Sequence, residues 1–252
     1  MIDFRNVTKR FGSRVVLDDV SVTIEKGETF VIIGQSGMGK TVMLRHIAGL
    51  LEPDDGDVLI DGVTMSNAAP KVRAQLRERI GLLFQSGALL NWLSVGENVG
   101  LPLSEHRLLP PDEIDRIVDD RLARLQLSDA KHKMPSDISG GMRKRVGLAR
   151  AIVRNPEIIL YDEPTSGLDP VMSEVINQLI LQLKREFGVT SFVVTHDMRS
   201  AYTIADRIAM LYQGKLIQCD TPDRIRNTDN PIVRQFIEGR LDGPIEVRKD
   251  LV

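Results

Sequence analysis

Apolar residues along this chain arrive in two rhythms. Glu28 to Ile33 reads Glu-Thr-Phe-Val-Ile-Ile, a short unalternating run rich in β-branched residues, as expected of a strand buried on both faces of a parallel sheet. Ile80 to Phe84, Ile158 to Tyr161 and Ser191 to Thr195 read as further strands of the same kind. Between them the period lengthens. Val42, Leu44, Ile47, Ala48 and Leu51 recur at helical spacing after Thr41. Ile114, Ile117, Val118, Leu122 and Leu125 form a stripe after Pro110-Pro111-Asp112, a helix-start signal. Val175, Ile176, Leu179, Ile180, Leu183 and Phe187 form another, opened by Asp169-Pro170 and stopped by Gly188. Short strands over Ile2 to Val7, Val20 to Ile24 and Val58 to Met65 predict an antiparallel β patch beside the main sheet. Ile208 to Tyr212 and Lys215 to Gln218, turning at Gln213-Gly214, extend that main sheet. From about Ser86 to Asn155 the chain reads as a helical insert. The pattern is α/β, without internal repeats: one domain over residues 1–228, with a helical subdomain inserted at about 86–155 and a tail at 229–252.

Gly34-Gln35-Ser36-Gly37-Met38-Gly39-Lys40-Thr41 lies between the strand ending at Ile33 and the next helix, a full match to G-x-x-x-x-G-K-[ST]. Glycines there let successive backbone N–H groups converge on phosphate oxygens, and the helix N-terminus adds a favourable partial charge. Lys40 is placed to reach β- and γ-phosphates, and Thr41 to offer its hydroxyl to Mg²⁺. The strand Ile158 to Tyr161 ends in two carboxylates. Asp162 suits a hard cation, which wants oxygen ligands, and Glu163 is a candidate general base for an attacking water. Gln85 and His196 each follow a strand, and the carboxyl ends of strands are where ligands bind in open α/β sheets. The chain has four histidines with none at metal spacing, which argues against a zinc site.

These motifs, with Ile138-Ser139-Gly140-Gly141-Met142 and Ser166-Gly167-Leu168-Asp169, stand in the order found in the nucleotide-binding subunits of ABC transporters, which residues 1 to about 225 closely resemble. The resemblance implies the ABC ATPase fold: a RecA-like P-loop NTPase core of parallel strands, an antiparallel β patch and an inserted helical subdomain. It implies ATP and Mg²⁺ as cofactors, with Gln85 joining Thr41 and Asp162 around the metal, and Gln85, Glu163 and His196 in the catalytic group. Phe11 becomes the aromatic that stacks on adenine, with a buried strand phenylalanine as the alternative. The signature Ser139, Gly140 and Gly141 would complete the ATP site of a second copy of the chain, in a head-to-tail dimer. The usual Leu-Ser-Gly-Gly-Gln is here Ile-Ser-Gly-Gly-Met, and Met142 lacks the hydrogen-bonding groups of Gln. The expected phosphate contacts, from the Ser139 hydroxyl and main-chain N–H groups near Gly141, survive that change.

A narrower resemblance rests on Ile138 to Val146, Leu83-Phe84-Gln85-Ser86-Gly87-Ala88-Leu89, Leu160 to Pro164 and the tail residues Val233 to Phe236. These segments are similar to the ATPases of bacterial phospholipid transporters that work with MCE-domain proteins. That likeness implies a multi-span permease, an MCE-domain lipid-binding protein and a small STAS-domain protein as partners, at the cytoplasmic face of the inner membrane. Family members use the segment after Gln85 to grip a short permease helix. Trp92, the chain's one tryptophan, therefore either meets the permease or packs in the core.

The 252 residues are 42% hydrophobic with net charge −2 and mean hydropathy −0.10, enough for a large core in one domain with an insert. Near-neutral charge without a basic run argues against nucleic acid as a partner. No apolar stretch reaches ~18 residues and no charged-then-apolar leader opens the chain, so membrane contact is expected through a partner. One cysteine, Cys219, excludes an internal disulfide and fits a reducing compartment. The tail mixes Ile232, Val233, Phe236, Ile237 and Leu241 with charges, either an arm on a neighbouring subunit or an end folded on its own domain. Competing readings are a soluble ABC ATPase of the iron–sulfur assembly type and the ATPase of an importer for another substrate. A DNA-repair or chromosome-organising ATPase would bring long heptads that this chain lacks, and a P-loop small-molecule kinase leaves Ser139-Gly140-Gly141 and His196 unexplained.

Overall fold

A computed structural model describes residues 1–105 and 109–246 of the chain. The chain opens with β1 (Ile2–Phe11) and β2 (Arg14–Ile24), an antiparallel hairpin, and enters the core through β3 (Thr29–Ile33), α1 (Lys40–Ile47), β4 (Asp55–Ile60), β5 (Val63–Thr64), α2 (Pro70–Glu78) and β6 (Ile80–Leu83). The insert holds α3 (Val95–Ser104), α4 (Pro111–Arg124) and α5 (Gly140–Ile152). The core resumes with β7 (Ile158–Asp162), α6 (Pro170–Phe187), β8 (Thr190–Val194), α7 (Met198–Ile204), β9 (Arg207–Tyr212) and β10 (Lys215–Asp220), and α8 (Pro222–Arg226) and α9 (Pro231–Glu238) come last.

Two sheets result. The larger has the order β10-β9-β3-β8-β7-β6, with β9, β3, β8, β7 and β6 parallel and β10 antiparallel at the edge. All five residues of β3 and of β8 are buried, which is what an unalternating apolar run requires of a central strand covered on both faces. One face belongs to a core shared with the insert helices and α6, among them Val31, Ile33, Ile159, Val193, Leu122 and Ile180. The other face, with Phe30, Ile32, Leu160 and Phe192, packs on α1 and on the smaller sheet, whose order is β2-β1-β4-β5.

Local chemistry explains most boundaries. Asp169 caps α6 by accepting from the N–H groups of Val171 and Met172, Pro170 fits the first turn, and Gly188 ends the helix at φ 62°. Gln213 and Gly214, at φ 47° and 80°, make the two-residue turn of the β9–β10 hairpin. The stretch Val58 to Met65 is two strands rather than one. Asp61 and Gly62 turn the chain between them at φ 49° and 79°.

One further expectation is revised, and for the tail one of two alternatives gains support. Residues 86–94 are not helical, because Gly87 and Ala88 take φ 78° and 45°, which breaks any helix there. Residues 229–246, set apart above as a tail, fold on their own cassette. Gln235 in α9 grips Ile245, accepting its N–H at 2.7 Å and donating to its carbonyl at 3.1 Å, and Val233 and Ile245 join the main core. The rest of the tail, residues 247–252, lies outside the described residues.

The non-helical loop is held by one fully buried side chain. Asn98 of α3 accepts from the N–H of Leu90 at 2.8 Å, and its amide faces the carbonyls of Leu90, Leu93 and Ser94, each at 3.0 Å. Removing it strands main-chain groups that it now satisfies, a cost of about 1–3 kcal/mol for each group left buried and unsatisfied. Asn98→Ala is expected to lower unfolding free energy by about 3 kcal/mol in chemical denaturation, whereas a change below about 1 kcal/mol would show that this loop does not depend on Asn98.

Candidate active site

The carboxyl ends of β3, β7, β6 and β8 lie along one edge of the larger sheet, and Gly34 to Thr41, Asp162 with Glu163, Gln85 and His196 respectively lie at or follow these ends. The phosphate loop follows β3. Gly34 and Gly39 sit at φ 143° and 101°. A Cβ on Gly34 would stand 2.3 Å from the carbonyl oxygen of Leu211, and one on Gly39 would stand 2.9 Å from Val16. The loop is thus wedged between β9 and the β1–β2 hairpin, where only glycine fits. Lys40 is buried, and its ammonium donates to the carbonyls of Gly34 at 2.7 Å and Gln35 at 2.8 Å, curling the loop around a cation. Burial pulls the Lys40 ammonium below its ordinary range, against the pull of Glu163 and Asp162.

Next to it, the Thr41 hydroxyl donates to Oδ1 of Asp162 at 3.1 Å, so the two oxygen ligands expected for Mg²⁺ already touch. Burial holds the Asp162 carboxyl above its ordinary range. A divalent cation would relieve the carboxylate's desolvation, and this donor set of one hydroxyl and one carboxylate fits Mg²⁺. Glu163 turns the chain at φ 51°, a conformation that costs a residue with a Cβ about 1 kcal/mol. Its carboxyl is mostly buried, and among the described residues Oε2 has no hydrogen-bond donor. Nδ1 of His196 lies 2.9 Å from that oxygen, without the alignment of a hydrogen bond. A carboxylate oxygen not committed to a donor is free to accept from an attacking water once a ligand brings one within hydrogen-bond reach, which is the requirement for a general base.

The remaining candidates fall into two groups. Gln85, His196 and Phe11 reach the rim. The Gln85 amide donates to Ser166 at 3.2 Å instead of facing Thr41 and Asp162, so here it joins two loops rather than the metal-ligand pair. Phe11 is 49% exposed at the end of β1, which removes the buried-strand alternative. Arg14, its strand partner, donates to the carbonyl of Gly37 at 3.1 Å and fixes that hairpin beside the phosphate loop. Ser139 and Gly140 form a second, separate group. They are exposed at the start of α5, where the Ser139 hydroxyl accepts the N–H of Met142, and no hydrogen bond of residues 139–141 reaches residues 34–41 among the described residues. Met142 packs against the main core, so the departure at this position removes no polar group from the exposed signature.

Sequence reasoning missed the cations of α5. Lys144 donates to the main-chain oxygen of Glu163 at 2.9 Å. Arg150 donates to the carbonyls of Gly87 and Ala88, each at 2.8 Å, and Arg145 to those of Leu125 at 2.9 Å and Gln126 at 3.2 Å. Glu163, Ala88 and Gln126 all have positive φ. One helix therefore supplies the charge-assisted bonds that hold three bent segments. The clue was spacing: Gly141, Lys144, Leu148 and Ala151 follow one another at three, four and three residues, putting a lysine in the apolar stripe.

Comparison with known proteins agrees with this geometry. The family described as ABC transporter matches residues 17–166, and the chain belongs to that family, whose ATP-binding subunits are characteristically ATPases. Among relatives, the intermembrane phospholipid transport system ATP-binding protein MlaF of Escherichia coli K12 is 38% identical over 98% of this chain and 92% of its own. A probable ribonucleotide transport ATP-binding protein, mkl of Mycobacterium tuberculosis H37Rv, is 41% identical over 99% of this chain and 69% of its own. The ATP-binding cassette MJ0796, solved as a dimer in a post-hydrolysis state bound to ADP and Pi, superposes with a TM-score of 0.81 at 34% identity, covering 88% of this chain and 99% of that one.

The raised Asp162 carboxyl has a thermodynamic consequence. It binds its proton more tightly in the fold than in the unfolded chain. It therefore subtracts stability as pH rises from the ordinary value of 3.8 toward the raised one, and at neutral pH it is a net cost to the nucleotide-free fold. Asp162→Asn is expected to keep the Thr41 contact and leave the nucleotide-free Tm unchanged or up to about 4 °C higher, while abolishing the Tm gain from Mg²⁺ with ATP. A Tm several degrees lower without nucleotide, or a full Mg²⁺–ATP shift, would contradict this reading of Asp162.

Proposed function

We propose that two copies of this chain enclose two ATP molecules head to tail and, by hydrolysing them, drive a separate permease that moves phospholipid between bacterial membranes. The observation that carries the hydrolytic part is Oε2 of Glu163, buried and without a hydrogen-bond donor among the described residues, beside the Thr41–Asp162 pair. In this reading the main-chain N–H groups of residues 34–41 cradle the phosphates, and Lys40 exchanges its carbonyl partners for β- and γ-phosphate oxygens. Phe11 stacks on the adenine. Thr41 and Asp162, joined by Gln85 if it leaves Ser166, would hold magnesium, which would neutralise charge building on the phosphates. Glu163 takes a proton from the attacking water, and His196 orients the γ-phosphate from the rim.

The exposed Ser139 and Gly140, without a bond to their own phosphate loop, support a role against a partner's nucleotide, as does the dimeric state of the MJ0796 cassette. Trp92 is 74% exposed, which favours a permease contact over a core role. No helix among the described residues is long and apolar enough to cross a membrane. In this reading the chain sits at the cytoplasmic face of the inner membrane, held by the permease, with MCE-domain and STAS-domain proteins completing the complex. The near full-length likeness to MlaF supports phospholipid as the cargo. The name of the mycobacterial relative favours a second cargo, a ribonucleotide, and separates the two readings experimentally.

Glu163→Gln is expected to lower ATP turnover by about 100-fold or more and to accumulate an ATP-bound dimer in sedimentation. Normal hydrolysis by this variant would remove Glu163 from its role. In proteoliposomes carrying the chain with its permease, ATP is expected to move labelled phospholipid but not labelled ribonucleotide, and the reverse selectivity would overturn the cargo assignment.

A further inference from the structure

Lys144 has no place in the machinery described above, yet it is buried at 5% exposure within the main core's edge. Burying an ammonium costs free energy unless it is paired, so its partner identifies its use. Its Nζ donates to the main-chain oxygen of Glu163, and the charges acting on it are the carboxylates of Glu163 and Asp162. Glu163 is held on its other side by its own N–H, which donates to the carbonyl of Val194 at 2.9 Å. The residue at φ 51° is thus clamped at both ends of its main chain, by β8 and by α5. Its carboxyl Oε2, by contrast, has no donor among the described residues.

We infer that Lys144 is a positioning residue for ATP hydrolysis: it fixes the left-handed turn at Glu163, and with it the direction of a carboxylate whose buried oxygen no hydrogen bond anchors. Its place on α5 extends that role. Lys144 lies five residues from Ser139, about 7.5 Å along the helix axis. If a partner's nucleotide draws in the start of α5, the same rigid helix shifts the donor that aims this chain's own base. That extension rests on the head-to-tail dimer proposed above, whereas the positioning role itself stands on this chain alone.

The test uses the full chain and the variants Lys144→Met, Lys144→Gln and Lys144→Arg, with steady-state ATPase, ATP affinity and the Glu163→Gln background. Lys144→Met removes the donor at nearly constant length and is expected to lower kcat by about 10- to 100-fold, the cost of misplacing a catalytic group by about 1 Å. KM and ATP affinity stay within about twofold, since the phosphate loop is untouched. Lys144→Arg restores most of the lost kcat, and Lys144→Gln, which keeps a neutral donor at the buried position, falls between and carries the comparison where the methionine variant does not fold. In the Glu163→Gln background the methionine change lowers residual turnover no further, because the two residues act as a unit. The inference is overturned by an unchanged kcat, by a parallel loss of ATP affinity, or by a further loss in the Glu163→Gln background. A wild-type chain without ATPase activity would instead overturn the functional reading and leave this one without its reaction.

Discussion

Too many charges share too little water at the carboxyl ends of β3 and β7. Lys40 is buried, Asp162 and Glu163 are half-buried or more, and Lys144 approaches from the insert. Burial displaces the ionisation of Lys40 and Asp162 toward their neutral forms. The fold meets this by turning its own backbone into a solvent. Carbonyls of Gly34 and Gln35 take the Lys40 ammonium, the carbonyl of Glu163 takes that of Lys144, and Thr41 takes an oxygen of Asp162. The contacts of Lys40, Thr41 and Asp162 are ones that a triphosphate with its cation would replace with stronger ones, so the cost of burying these charges would become selectivity for a highly charged ligand.

That arrangement needs rigid supports, and the parallel sheet supplies only half of them. β3, β7 and β8 fix where the loops begin, and α5 fixes how they bend. Its cations reach Glu163 at one end, the Gly87-Ala88 bend that precedes Trp92 at the other, and the Leu125-Gln126 bend on the flank of the insert. The start of the same helix carries the exposed Ser139. One element therefore touches Glu163, the loop with the exposed tryptophan and the surface that the proposed dimer would offer to a second copy. Packed helices tend to shift as units, which would link these places if α5 moves.

Much of this could be read from the residues. The phosphate loop, the two carboxylates after Tyr161 and the limits of α6 each carry a local chemical signature, and the structure puts those segments where the signatures indicate. The Asp61-Gly62 turn was equally readable and was passed over, because Val58 to Met65 looks continuous when only hydrophobicity is considered. The bend after Gln85 and the folding of residues 229–246 were harder. Both depend on a polar side chain distant in space or sequence, Arg150 and Asn98 for the first and Gln235 for the second, and a buried amide has no periodicity of its own. Charged residues on a helix are ordinarily solvated, which hid Lys144 and Arg150 although Lys144 stood in the apolar stripe.

The claim on which the rest converges is that each ATP site is built from two chains. It is tested most directly by mixing two inactive variants, Lys40→Ala, which lacks the phosphate lysine, and Ser139→Arg, which blocks the signature. In a mixed dimer the intact phosphate loop of one chain faces the intact signature of the other, so ATPase activity is expected to reappear on mixing, although each variant alone is inactive. A mixture that forms mixed dimers and remains as inactive as its components would contradict the account.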